Sequence, residues 1–107
     1  MYAFEQDVPI NAAVYEKITA RIAEAMGDTA APGALLHIAI EREDGHLSYL
    51  DLWETKEDCD RFTEAVLHKI VGPALADAAI RVDVEPPRRP VNVIDLFGPA
   101  FPRPATT

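Results

Sequence analysis

The chain has one cysteine in 107 residues, Cys59, which excludes an internal disulfide and any metal framework built on paired thiols. No apolar run approaches the roughly 20 residues that a helix needs to cross a bilayer. Basic residues are few, 10 against 18 acidic, and the formal charge of −8 repels phosphate backbones and anionic lipids. Nucleic-acid and membrane partners are set aside on that balance. The opening "MYAFEQDVPI" lacks the basic and apolar regions of a secretory signal. Also missing are a Gly-rich phosphate loop, a nucleophile elbow and a P-loop. His37, His46 and His68 do not have metal-site spacing such as HExxH. These absences lead to the expectation of a cytoplasmic protein that works without cofactor or metal.

A hydrophobic fraction of 49% is that of an ordinary globular chain. At this length it makes one domain, with a surface-to-volume ratio that leaves a monomer marginal. "YAFEQDV" alternates as a half-buried strand, Tyr2 and Phe4 on one side, Ala3 and Glu5 on the other. Asn11 is the N-cap expected for a helix carrying Val14, Ile18, Ile22 and Met26, and Gly27 is its stop. "ALLHIAIER" and "HLSYLDLWE" read as a hairpin turned at "EDG". Thr55 caps a second helix, with Asp58 at the capping-box position and Cys59, Phe62, Val66 and Ile70 as its inner stripe. Gly72-Pro73 is expected to break it. "IRVDVE", Ile80 to Glu85, alternates as a strand, and "PPRRP" leads as a solvated linker into a strand-like arm, "VNVIDLF". The domain is placed at residues 1–98, with 80–97 as last strand plus arm and 99–107 as a Pro-rich tail.

The element order is therefore β-α-β-β-α-β. That is the ferredoxin-like, α+β order, an antiparallel sheet with both helices on one face. Such a sheet leaves its other face bare, and a second copy of the chain is the simplest cover.

Two hairpin registers are open. A two-residue type I′ turn at Asp44-Gly45 pairs His37 with Leu52. A type I turn closed by Gly45 as a bulge pairs Arg42 with His46 and sets His37 opposite Asp51, Leu35 opposite Trp53 and Ala39 opposite Tyr49. Face chemistry favours the second, because it collects Leu36, Ile38, Ile40, Leu50 and Leu52 on one wholly apolar face. That face is expected to meet the helices. The face away from them would carry a His37–Asp51 pair between Tyr49 and Trp53. A carboxylate beside an imidazole fixes its tautomer, and aromatic walls around a few polar groups are typical of small-molecule pockets.

The stretch "LDLWETKEDCDRF", the following "GPAL" and the element order resemble the dimeric α/β-barrel superfamily, which includes antibiotic-biosynthesis-type monooxygenases. The resemblance spans about Tyr2 to Glu85. It implies a homodimer with two sheets packed face to face and a pocket between sheet and helices or within the barrel. It also implies a small-molecule ligand, and activities that range from cofactor-independent oxygenation of polyketide-type phenols to isomerisation and cyclisation; many members have no known activity. The hairpin register makes His37 and Asp51 the candidate proton-handling pair and Tyr49, Trp53 and Leu35 the candidate substrate walls, and the resemblance matches Trp53 to a frequent pocket wall at the strand end. The alternative is a non-catalytic dimeric binding or accessory protein in which the polar pair only specifies the dimer. Cys59 reads as a small buried hydrophobe, and His46 and His68 as surface residues.

Overall fold

The computed structural model describes residues 1–27, 31–81, 85–99 and 101. Strand β1 is Tyr2–Val8, helix α1 Ala12–Met26, β2 Ala34–Glu41 and β3 Leu47–Trp53. Helix α2, Lys56–Phe62, passes through a π-helical turn, Thr63–Leu67, into α3, His68–Asp77; β4 is Arg89–Pro90. The sheet order is β2-β3-β1-β4 with every pairing antiparallel. This small α+β architecture is compatible with a ferredoxin-like fold.

Local chemistry explains the element ends. The Asn11 side chain accepts from Val14 N–H at 3.0 Å, and Gly27, at φ 62°, returns its N–H to Ala23. Thr55 Oγ1 accepts from Asp58 N–H at 3.1 Å. Arg42 N–H donates to His46 O at 2.8 Å and Gly45 N–H to Arg42 O at 2.9 Å, with Gly45 at φ 84°. The turn is thus the bulged type I form, which puts Arg42 and His46 opposite each other.

Two expectations fail along the second helical run. Gly72-Pro73 does not end it; Pro73 lies inside α3. Pro73 and Lys69 are both exposed, so the Lys69 carbonyl deprived of its helical partner can be solvated. The helix stops later, at Ala79, which takes φ 58° while Ile80 N–H reaches back to Leu75 O at 2.9 Å. The π turn also shifts the inward stripe from Val66 and Ile70 to Thr63, Leu67, Val71 and Leu75.

Of the strand expected over Ile80–Glu85, the described residues Ile80, Arg81 and Glu85 are not in a strand. Residues 82–84 lie outside the described residues, and Ile80 is taken by the helix cap and by packing on the core. Instead the end of the "PPRRP" connector pairs with Phe4 and Glu5, and Val91 N–H donates to Ala3 O at 3.0 Å. Prolines are tolerated there because β4 is an edge strand. Nor is the connector a free linker. Arg88 donates to Asp60 at 2.8 Å and Thr63 at 2.9 Å, and Arg89 donates to Asp7 at 3.2 Å. Residues 91–97 form no strand, and of the tail over 99–107 only Pro99 and Phe101 are described.

The face assignment is inverted. Directly opposed residues in an antiparallel pair share a face. Tyr2↔Trp53, Phe4↔Asp51, Gln6↔Tyr49 and Val8↔Leu47 therefore line one side with His37, and this side meets the helices. Val8 and Leu47 pack with Ile18 of α1 and Ala74 of α3, while Phe4 and Trp53 pack with Cys59 of α2. The apolar set lies on the outer side, where Ile38 is 38% and Ile40 52% exposed. The largest apolar side chains of β1 and β3, not the purest apolar stripe of the hairpin, decide which side the helices cover.

Candidate functional site

The two core clusters do not close on each other. Between sheet and helices lies a cavity of about 710 Å³, a volume that suits a ring-sized ligand. Phe4, Trp53 and Phe62 wall it at one end, Ile18, Ile22 and Leu75 line it further along, and Tyr15, His37, Tyr49 and Asp51 give it a polar corner. A smaller cleft of about 500 Å³ runs along Lys56, Asp60, Glu64 and Arg88. Those side chains are all charged, and Lys56 and Glu64 are exposed, so the larger cavity is the better candidate.

The polar corner is built from three elements. His37 sits in β2 and Asp51 opposite it in β3, and His37 Nδ1 is hydrogen-bonded to Asp51 Oδ1. A carboxylate only accepts, so Nδ1 carries the proton. On the other side of the ring, Tyr15 Oη of α1 is 2.8 Å from Nε2. With Nδ1 protonated, the neutral imidazole accepts there from the phenol. The Tyr49 and His37 rings meet in a T-shaped contact with centroids 4.9 Å apart, and Tyr15 packs on Tyr49 at 5.7 Å. Asp51 is 15% and His37 42% exposed at the side chain, so the pair opens to the outside at His37, on an edge strand.

Burial, followed by the nearby Asp51 charge, pushes the Tyr15 phenol above its ordinary value. The same burial, followed by Tyr15 and Asp51, raises Tyr49 strongly. Both phenols are therefore neutral donors at physiological pH. Cys59 is 2% exposed and its thiol is pushed up by burial, which makes it an inert core residue.

The structure brings together His37, Asp51, Tyr49, Trp53 and Leu35 on the cavity wall. Leu35 is not opposite Trp53, because the ladder slips between Ala34 and Leu36 and Ala34 takes that place. Leu35 nevertheless lines the cavity from the bulge. His46 is exposed beside Asp44, and His68, also exposed, lies 3.4 Å from Glu85. Among the described residues no group of three His, Cys, Asp or Glu side chains could hold a metal ion.

Tyr15 was not among the sequence candidates. The signal was there, since Tyr15, Ile18 and Ile22 share the i, i+3, i+7 spacing of one helix face. Placing His37 on the side away from the helices hid the connection.

No family model and no curated protein matches this chain.

Proposed function

We propose that the cavity binds a ring-sized, aromatic or polyketide-like molecule and that the protein acts on it without metal or flavin, by first removing a proton. One observation carries this reading: a hydrogen-bonded Tyr15–His37–Asp51 chain borders an apolar cavity of ligand size. An oriented carboxylate–imidazole pair is the arrangement that general-base chemistry needs. In a cofactor-independent oxygenase, the resulting carbanion would be met by dioxygen. A tricyclic ketone such as anthrone would then gain one oxygen atom, the other leaving with its two hydrogens as water.

The same reading takes the fold to be ferredoxin-like and the protein to be a cytoplasmic homodimer of the dimeric α/β-barrel type. Support comes from the strand order and from the outer face, where Ile38 and Ile40 stand exposed beside half-buried Leu36 and Leu50. A contiguous apolar sheet face is a surface for self-association. A second, non-catalytic reading is favoured by one feature: the Tyr15–His37 hydrogen bond also ties α1 to the edge strand β2, a purely structural service.

Anthrone separates the readings. Saturable binding, read from the emission of Trp53 (the only tryptophan), with dioxygen uptake and anthraquinone formation, is the expected result. Binding without turnover favours the accessory reading. No saturable binding of anthrone or of naphthols rejects the ligand cavity.

A further inference from the structure

We infer that Tyr15 is the residue that exchanges a proton with the bound molecule, with His37 and Asp51 acting through it, and that the molecule is an enolisable ring ketone. The inference rests on the cavity being a ligand site, as proposed above. It goes further in naming the group that touches the ligand and the bond that breaks.

The geometry singles out Tyr15. Asp51 accepts from His37 Nδ1–H, so the basic nitrogen of the ring is Nε2. That nitrogen lies 2.8 Å from Tyr15 Oη and is therefore occupied by the phenol. A ligand beside this corner meets the Tyr15 oxygen, which keeps lone pairs to receive a proton while its own O–H points at the imidazole. The Tyr49 ring against His37 limits rotation of the imidazole away from this line. Burial disfavours a resting phenolate at Tyr15. Proton removal from a ligand thus requires the phenol proton to move to His37 in the same step, as the hydroxyl proton does in a Ser–His–Asp arrangement.

The step balances without a redox partner. A C–H bond next to the ligand carbonyl breaks, and its electron pair is taken up as the enolate. The proton forms a new O–H bond on Tyr15, whose former proton passes to Nε2 and leaves an imidazolium beside the Asp51 carboxylate. Return of the proton to the same carbon exchanges its hydrogen; return to another carbon isomerises the ligand. No oxidant or reductant enters. Enolisable ketones suit this corner because the charge formed is spread over a carbonyl oxygen, while Phe4 and Trp53 supply aromatic surface for the ring.

The test uses 2-tetralone in deuterated buffer, with α-deuterium incorporation followed by NMR and binding by Trp53 emission. The wild-type protein should accelerate exchange over buffer. Tyr15→Phe, which keeps the ring and removes the hydroxyl, should lose about 100-fold of that acceleration, within the usual range for general acid–base catalysis. Its dissociation constant should stay within about twofold. If Tyr15→Phe does not fold, Asp51→Asn serves in its place and should show the same loss of exchange with binding retained. Wild-type exchange rates in a folded Tyr15→Phe would overturn the role of Tyr15. Binding of 2-tetralone with no acceleration by the wild type would overturn the proton transfer while sparing the ligand cavity. Failure of 2-tetralone to bind at all would reject the cavity reading and this inference with it.

Discussion

The two faces of the sheet invert the usual expectation. The inner face, under the helices, carries His37, Asp51, Tyr49 and Gln6 among its aromatics. The outer face of the hairpin carries Leu36, Ile38, Ile40 and Leu50, more uniformly apolar and less covered. Polar groups are tolerated inside because they satisfy one another: Asp51 with His37, His37 with Tyr15, and Gln6 Nε2 with Pro86 O at 2.7 Å. The outer face is not uniform either. Leu52 is 2% exposed on that side, so the bare patch lies toward β2. On the proposed function, the self-satisfied polar cluster beside a cavity serves a small molecule within, and the uncovered apolar patch a second copy of the chain without.

The largest expected effect is on the inner face. Trp53 is buried against Cys59 and Phe62, and Trp53→Ala should cost about 3–5 kcal/mol, read as a shift in the denaturant midpoint. A loss under 1 kcal/mol would mean that the inner face is not packed as described. Next comes the loop that seats α2 on the sheet. Gly33 has φ +83°, and a Cβ there would lie 2.7 Å from Asp58 Cβ, so Gly33→Ala should cost about 2 kcal/mol from the left-handed backbone alone, with the clash added. A neutral Gly33→Ala variant would displace the loop from that position.

Ile38→Glu with Ile40→Glu tests the outer face. Each exposed substitution should change the stability of the fold by no more than about 0.5 kcal/mol. Sedimentation should nevertheless show loss of self-association. A variant that self-associates as the parent does removes this patch from the interface. The smallest effect is acid release of the arm. Hydrogen bonds from Arg89, then Ser48, hold the Asp7 carboxyl below its ordinary value of 3.8, and Lys56, then Arg88, do the same for Asp60. A depressed folded value stabilises above the ordinary carboxyl range and the gain is lost as pH falls through it. Amide exchange at Val91, corrected for its intrinsic pH dependence, should stay protected above about pH 4 and open below. Protection that is flat down to pH 2 would show that these ion pairs do not hold the arm.

Local signals were legible where one residue type has one physical use. Asn11, Thr55, Gly27 and the Glu43-Asp44-Gly45 turn each mark an element boundary through their own backbone chemistry, and the turn together with the sorting of side chains by face set His37 opposite Asp51. The side on which that pair lies was not legible from the hairpin alone. It depends on β1, whose Phe4 and Val8 bring their own apolar bulk to the His37 side. Pro73 and the π turn misled for a similar reason, because a helix break written in sequence is overridden when the broken carbonyl faces water. Tyr15 could be found only after the face was known.

The state of the His37 imidazole tests the central claim most directly. Nitrogen-15 shifts of the histidine rings at alkaline pH, assigned with single His→Gln variants, report which nitrogen carries the proton. The hydrogen-bonded chain requires His37 to be held with the proton on Nδ1 and with Nε2 unprotonated, accepting from Tyr15. A His37 ring protonated on Nε2, or averaging between tautomers as His46 should, would contradict it.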